Sequence, residues 1–328
     1  MGNVLLIKFL CRAKAFNQKM KVLFVASYNK GFFSPFIVEQ AQALEKAGYQ
    51  VQFYGVVGHG IIGYLQLLKD LKLKIKQFQP DIIHAHYGLC GLLACLQRQR
   101  PVVVTFHGSD INQSNVFRYS KLAMHLDKWN IFVSEANMKK AGLKHKCSLI
   151  PCGIDLTDLQ LTTRSQAREK LNIKKDNKLV LFSGAFDNKV KNSPLAFQTI
   201  NLLGESVELK ELKGYNREQV TLLMCAADAL LMTSFIEGSP QVVKEAMACS
   251  CPIVSVDVGD VKERINGVEH CYIAHNHDAQ ELADLLKNVL SAPKRTNGRD
   301  KIIADGLDNV TVSEKIINIY KTITNVNC

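Results

Sequence analysis

The chain has 328 residues, 47% of them hydrophobic, and 41 Lys and Arg against 30 Asp and Glu, a formal charge of +11 at neutral pH. That hydrophobic fraction excludes a disordered chain, and at roughly 100–200 residues per domain the length predicts two domains, each burying its own core. No run reaches the roughly 18 uninterrupted apolar residues of a membrane span, since even Val4–Leu10 is broken by Lys8.

The positive charge is unevenly placed. Residues 1–20 hold four basic residues and no acid, residues 21–155 hold 16 against 8, and residues 156–328 hold 21 against 22. The excess lies in the N-terminal half, so that half is the one expected to meet something anionic. None of the ten cysteines forms a pair with zinc-ribbon spacing, and Cys249 and Cys251 are separated by one residue. Reduced thiols in the cytoplasm are the expectation, several of them acting as small buried hydrophobes.

In chain order, residues 1–20 read as an N-terminal extension, with Met20 as an alternative start and Val4–Phe16 as an alternative basic amphipathic helix for a membrane surface. Lys21–Ser27 then opens a series of short apolar strands: Val51–Tyr54, Asp81–His84, Val102–Phe106 and Ile131–Val133. A second series follows, with Leu179–Phe182, Val207–Leu212, Ala229–Met232 and Ile253–Val256. Helical spacing of apolar residues fills the gaps, as in Phe36–Ala47 and Pro240–Ala248. Strands buried on both faces and joined by crossover helices make parallel, doubly wound sheets. Two such series, with a seam at Pro151–Asp176, predict an α/β protein of two Rossmann-like domains, residues 21–155 and 156–328, with the last helix able to cross back to the first. A ligand site at the carboxyl ends of the strands follows from that architecture.

The densest chemical signal is Ser234–Glu263. Ser239 reads as a helix N-cap and Pro240 as the first helical residue, which puts Glu237 in the loop after strand Ala229–Met232 and Glu245 in the helix's second turn. Amides around Gly238, Ser239 and Gln241 offer donors to hydroxyl or phosphate oxygens. His107 follows strand Val102–Phe106, with a core histidine as the alternative, and Asp110 reads as ordering that loop. His84 and His86, near the end of another strand, are expected to face opposite sides and so to be poor partners for one metal. In Leu67–Phe78, Leu68, Leu71, Ile75 and Phe78 share one helical face and Lys69, Lys72 and Lys76 the other. That pattern fits a solvated basic face over a buried one, or a helix lying on anionic lipid.

The setting EGSPQVVKEAMACSCPIV followed by VDVGDVKE resembles the nucleotide-sugar signature of family-4 glycosyltransferases. The resemblance continues in DIIHAH, TFHGSD, VSEANMKKA and IPCGID, in that order, and covers nearly everything from Met20 onwards. It implies the GT-B fold, with two doubly wound domains facing across a cleft. It also implies roles residue by residue: Glu245 on the nucleotide ribose, Glu237 near the transferred sugar with Gly238, Ser239, Pro240 and Gln241 around the donor, Lys191 on the diphosphate, and His107 near the reacting centre. The segment FSGAFDNKVKN keeps Gly184 but carries Ala185 where many members have arginine; Lys189 is the candidate substitute, an exposed surface lysine the alternative. Gly31 stands where relatives place a loop against phosphate and acceptor, and Tyr215 where the base is cradled, or else in an exposed loop.

The function so implied is transfer of a sugar from a nucleotide diphosphate sugar to an acceptor hydroxyl with retention, in the synthesis of cell-surface glycan, glycolipid or polysaccharide. No cofactor and no metal are expected, since no paired-aspartate motif is present. The partners are a nucleotide sugar donor, a glycan or lipid-linked acceptor of anionic character, and an anionic membrane surface met by the N-terminal domain, which places the chain in the cytoplasm at the inner membrane face. A same-fold epimerase or phosphorylase is the alternative. A nucleic-acid-binding protein is a remote one, because interleaved aromatic platforms and a binding module are missing.

Overall fold

A computed structural model describes residues 19–157, 159–204, 206–291 and 294–324. The basic segment Val4–Phe16 lies outside the described residues. The chain forms two compact units, the first from described residues 19–105, 118–130 and 316–324, the second from residues 106–117 and 131–315.

The opening strands and helices are β1 (Lys21–Ser27), α1 (Pro35–Lys46), β2 (Gln50–Val56), α2 (Gly60–Leu65), α3 (Leu68–Phe78), β3 (Ile82–His86), α4 (Gly88–Leu96) and β4 (Val102–Phe106). There follow α5 (Ser109–Asn112), α6 (Ser114–Leu126), β5 (Trp129–Phe132), α7 (Glu135–Ala141) and β6 (Cys147–Leu149). The strand order is β2-β1-β3-β4-β5-β6, and β1 pairs in parallel with both β2 and β3. Val22–Ala26, Ile82–His86 and Val102–Phe106 are buried along their whole length, which is why they read as continuous apolar runs rather than alternating ones.

The remaining elements are α8 (Arg164–Lys170), β7 (Lys178–Phe182), a 3-10 turn at Lys189–Lys191, α9 (Ser193–Asn201), β8 (Val207–Glu211), α10 (Arg217–Ala226), β9 (Ala229–Met232) and α11 (Gln241–Ala248). β10 (Ile253–Val256), α12 (Val261–Ile265), β11 (Tyr272–Ala274), α13 (Ala279–Ser291), α14 (Gly298–Ala304) and α15 (Asn309–Thr324) complete the chain. Their sheet has the order β11-β10-β9-β7-β8, with every pair parallel. The fold class is as expected: two parallel, Rossmann-like sheets. In the second, the chain leaves β7 towards β8 and returns to β9 on β7's other side, so the loops after β7 and β9 diverge at a topological switch point.

Three local expectations need correction. β6 and β11 were not anticipated; each has three residues and only partial burial, too short for a period to register. His84 and His86 face the same side, because residues two apart in a strand share a face; their rings stack at 4.7 Å. The helix after Glu237 starts one residue later than expected, with Pro240 as its N-cap and no side-chain cap bond, so Ser239 is not the cap.

Both histidines are wholly buried. His84 Nδ1 lies 2.5 Å from Tyr320 Oη on α15 and Nε2 lies 2.7 Å from Thr105 Oγ1, so a neutral ring satisfies both neighbours. In α3, Leu71, Ile75 and Phe78 are buried in the first unit and Lys69 and Lys76 are exposed. Among the described residues no helix is long and apolar enough to cross a membrane.

Candidate active site

The switch point between β7 and β9 brings together residues 46 apart in sequence. Thr233 Oγ1, just past β9, donates to the carbonyls of Lys191 and Asn192, each at 2.9 Å, and the Phe235 amide donates to the Val190 carbonyl at 2.9 Å. The two loops are thereby stitched, and Lys191 Nζ lies 2.7 Å from Glu237 Oε1 with both side chains largely shielded. The lysine reaches that position by lying over Gly184. A Cβ there would stand 2.9–3.1 Å from three carbons of its side chain, so glycine at this position, the second after β7, lets the lysine stem lie there without shifting.

Behind Glu237 the backbone is equally close-packed. A Cβ on Gly238 would meet the His107 carbonyl at 2.6 Å, and Gly108, at φ +118°, comes within 3.2 Å of the same position. The backbone of His107 therefore lies beside the Glu237 loop. Asp110 orders its turn by accepting from the amides of His107 and Gly108 at 3.1 and 2.9 Å. His107 Nδ1 lies 3.6 Å from Cys152 Sγ.

The loop Pro151–Ile154 is held by α11. Gln241 Nε2 donates to the Gly153 carbonyl at 2.5 Å, and Lys244 Nζ donates to the Cys152 carbonyl at 2.6 Å. Lys244 is fully buried, and burial lowers its pKa. Asp260, close enough to interact with Lys244, is also buried, its carboxyl pushed upward by desolvation, with Arg264 Nε 3.1 Å away.

Glu245 pairs with Arg217, the first residue of α10. Sequence reasoning passed over Arg217 and Lys244. The first had a signal, since the capping box of Asn216 and Gln219 places Arg217 at a helix start close to Tyr215. The second had none, because a lysine between Val243 and Glu245 reads as solvated. Tyr215 itself is exposed, and Lys189 is an exposed residue in the 3-10 turn that makes no ion pair among the described residues. Ala185 lies in the same turn as Gly184, with no cation added there. Gly31 belongs to the first unit, at φ +77° after β1, with Asn29 and Gly58 exchanging two hydrogen bonds beside it at 2.9 and 2.8 Å. Among the described residues no group of three or more His, Cys, Asp or Glu is placed to hold a metal ion.

Comparison with known proteins decides the family. The family description Glycosyltransferase Family 4 matches residues 53–158, and Glycosyl transferases group 1 matches residues 173–292. The chain belongs to the family-4 glycosyltransferases. Among curated relatives, TuaC, a candidate teichuronic acid biosynthesis glycosyltransferase of Bacillus subtilis, is 28% identical over 65% of this chain and 62% of its own length. The amylovoran biosynthesis glycosyltransferase AmsK of Erwinia amylovora is 24% identical over 64% of this chain and 61% of its own. The chain thus spans less than two thirds of the length of these relatives.

Two solved structures share the GT-B fold of this family-4 chain. Sucrose-phosphate synthase from Thermosynechococcus elongatus superposes with a TM-score of 0.79 at 18% identity, covering 94% of this chain and 100% of its own. Anabaena HepE, solved with UDP and glucose, gives 0.73 at 20% identity, covering 93% and 100%.

Proposed function

We propose that this chain transfers a sugar from a nucleoside diphosphate sugar to an acceptor hydroxyl in the synthesis of a cell-surface polysaccharide, acting in the cytoplasm at the membrane's inner face. The observation that carries the reading is the Lys191–Glu237 pair laid over Gly184, with Glu245 following in α11. The names of TuaC and AmsK support the polysaccharide, and HepE's complex with UDP-glucose supports the donor.

In this reading residues 156–328 take the donor and residues 21–155 serve the acceptor, with the Gly31 loop beside it. Glu245 accepts from the vicinal hydroxyls of the ribose, a task that suits two carboxylate oxygens. Tyr215 stands next to the base. The side chain of Lys191 turns from Glu237 to the diphosphate and stabilises the charge that grows on the leaving oxygen. Glu237, so released, accepts from hydroxyls of the transferred sugar, with Gly238, Ser239 and Pro240 fixing its loop. The acceptor oxygen attacks the anomeric carbon on the face that the diphosphate leaves. The carbon–oxygen bond to phosphate breaks as the new glycosidic bond forms, and the acceptor's proton passes to the departing phosphate oxygen, so configuration is retained. His107 positions the reacting sugar. Lys191 supplies the positive charge, with no metal or cofactor in the reaction.

Thermal-shift titration with UDP, GDP and ADP sugars tests the donor site. One donor raises the melting temperature of the wild-type chain and leaves Glu245→Ala unchanged; no shift with any of them refutes the site. For the same donor, release of nucleoside diphosphate in the presence of acceptor is expected to be equal with and without EDTA. Release of an altered sugar nucleotide without acceptor identifies an epimerase instead.

A further inference from the structure

At the edge of the first unit's sheet from which β3 and β4 start, a cavity of about 420 Å³ opens between α3 and the loop leading into β4. Lys72 and Lys76 line it from α3, one turn apart; Gln79 lines it from the left-handed residue that ends the helix, at φ 51°; Gln99 and Arg100 line it from the loop. Doubly wound sheets bind their reacting ligands at the other edge, outside the carboxyl ends of the strands. This cavity is therefore separate from the Gly31 loop of the same unit.

Three cations around one cavity repel each other unless something negative offsets them, and two lysines at i and i+4 on a helix already do so. Among the described residues no carboxylate provides the offset. None of the three makes an ion pair among the described residues, and the one acid of α3, Asp70, accepts a hydrogen bond from Tyr54 Oη at 2.9 Å. The arginine loop is also rigidly built. Gln97, buried, accepts from the amides of Gln99 and Arg100 at 2.6 and 2.9 Å and donates to the Arg100 carbonyl at 2.8 Å. Arg100 is thus presented by a backbone whose conformation is already set, which reduces the ordering cost of binding.

We propose that this cavity is a binding site for a phosphate group. Two ammonium groups, one guanidinium and two amide side chains offer more donors than one carboxylate accepts, and they match the charge and several oxygens of a phosphomonoester. The phosphate comes either from a free phosphorylated metabolite or from a lipid headgroup; Leu73, 58% exposed beside the cations, suits an apolar continuation of either.

The test is a titration of the full chain with inorganic phosphate, followed by the backbone amide signals of Gln79, Gln99 and Arg100. Saturable shifts at these amides are expected, with affinity weakened about tenfold or more in the doubly substituted Lys76→Ala, Arg100→Ala chain, since one lost charge-assisted contact alone accounts for about tenfold. Both side chains lie at the surface, and the unchanged remainder of the spectrum reports that the fold is intact. Absence of saturable shifts, or equal affinity in the variant, overturns the proposal. Co-sedimentation with vesicles containing phosphatidic acid, seen for the wild type and lost in the variant, assigns the phosphate to a lipid; phosphate binding without vesicle binding assigns it to a free metabolite.

Discussion

Lys191 Nζ and Glu237 Oε1 pair at 2.7 Å, and under the proposed function that pairing has a kinetic consequence. In the proposed reaction the lysine is already largely shielded from water when the diphosphate replaces the carboxylate, so its turn towards the phosphate costs little further desolvation. Lys191→Ala is expected to reduce turnover by about 100- to 1000-fold, the range for removing one such group. Gly184→Ala is the more discriminating variant. Its methyl displaces the lysine's stem while leaving the charge in place, so kcat falls, by less than in Lys191→Ala, and the melting temperature changes little. Steady-state kinetics with calorimetry on the two chains checks this; unaltered turnover in Gly184→Ala would separate the lysine's position from its role. Neither the ion pair nor the stem over the glycine could be read from the motif, because both depend on how the β7 and β9 loops come together.

Among the elements, α8 shows how a helix of seven residues is held. Thr163 and Gln166 form a capping box at its start. Arg168, almost wholly buried, donates to the carbonyls of Ala226, Lys174, Lys175 and Asn177 and pairs with Asp228 at 2.8 Å. Asp228 in turn accepts from Arg164 and from the Leu179 amide at the start of β7. One buried carboxylate therefore joins α8, β7 and the turn before β9, the framework on which the switch-point loops stand. Removing one partner of a buried pair leaves a charge without compensation, so Arg168→Ala is expected to cost about 3–5 kcal/mol, read as a lower urea midpoint. In the sequence Arg168 is one of several charges in RSQAREKLNIKKDN and looks solvated; no periodicity distinguishes it from its neighbours.

At the scale of the whole chain, α15 carries a consequence for pH dependence. Its Tyr320 packs on His84 inside the first unit, against Phe24. Burial lowers the pKa of His84 to about 3 from an ordinary value of 6.5. The folded chain thus keeps this imidazole neutral while the unfolded chain protonates it below about pH 6.5. The stability it supports is complete above that value and is lost as pH falls towards 3, by about 2 kcal/mol between pH 7 and pH 5. Equilibrium unfolding at the two values should show the loss, and His84→Gln should show a shallower dependence. The matches of residues 53–158 to Glycosyltransferase Family 4 and of residues 173–292 to Glycosyl transferases group 1, and the order of the strands, extend over the same scale. Of the 16 basic residues between 21 and 155 that make the N-terminal half positive, Lys72, Lys76 and Arg100 meet at one cavity.

What the sequence determined alone was the architecture and the family. Continuous apolar runs separated by amphipathic segments admit few folds other than parallel doubly wound sheets, and five motifs in order identify the family because their spacing is part of their chemistry. Tertiary structure decided the rest. It turned His84 and His86 to one side, buried Lys244 under Cys152, matched Arg217 to Glu245 and laid Lys191 across Gly184. Each of these depends on the approach of segments that are distant in sequence, and burial and electrostatic pairing arise from that approach rather than from the local pattern.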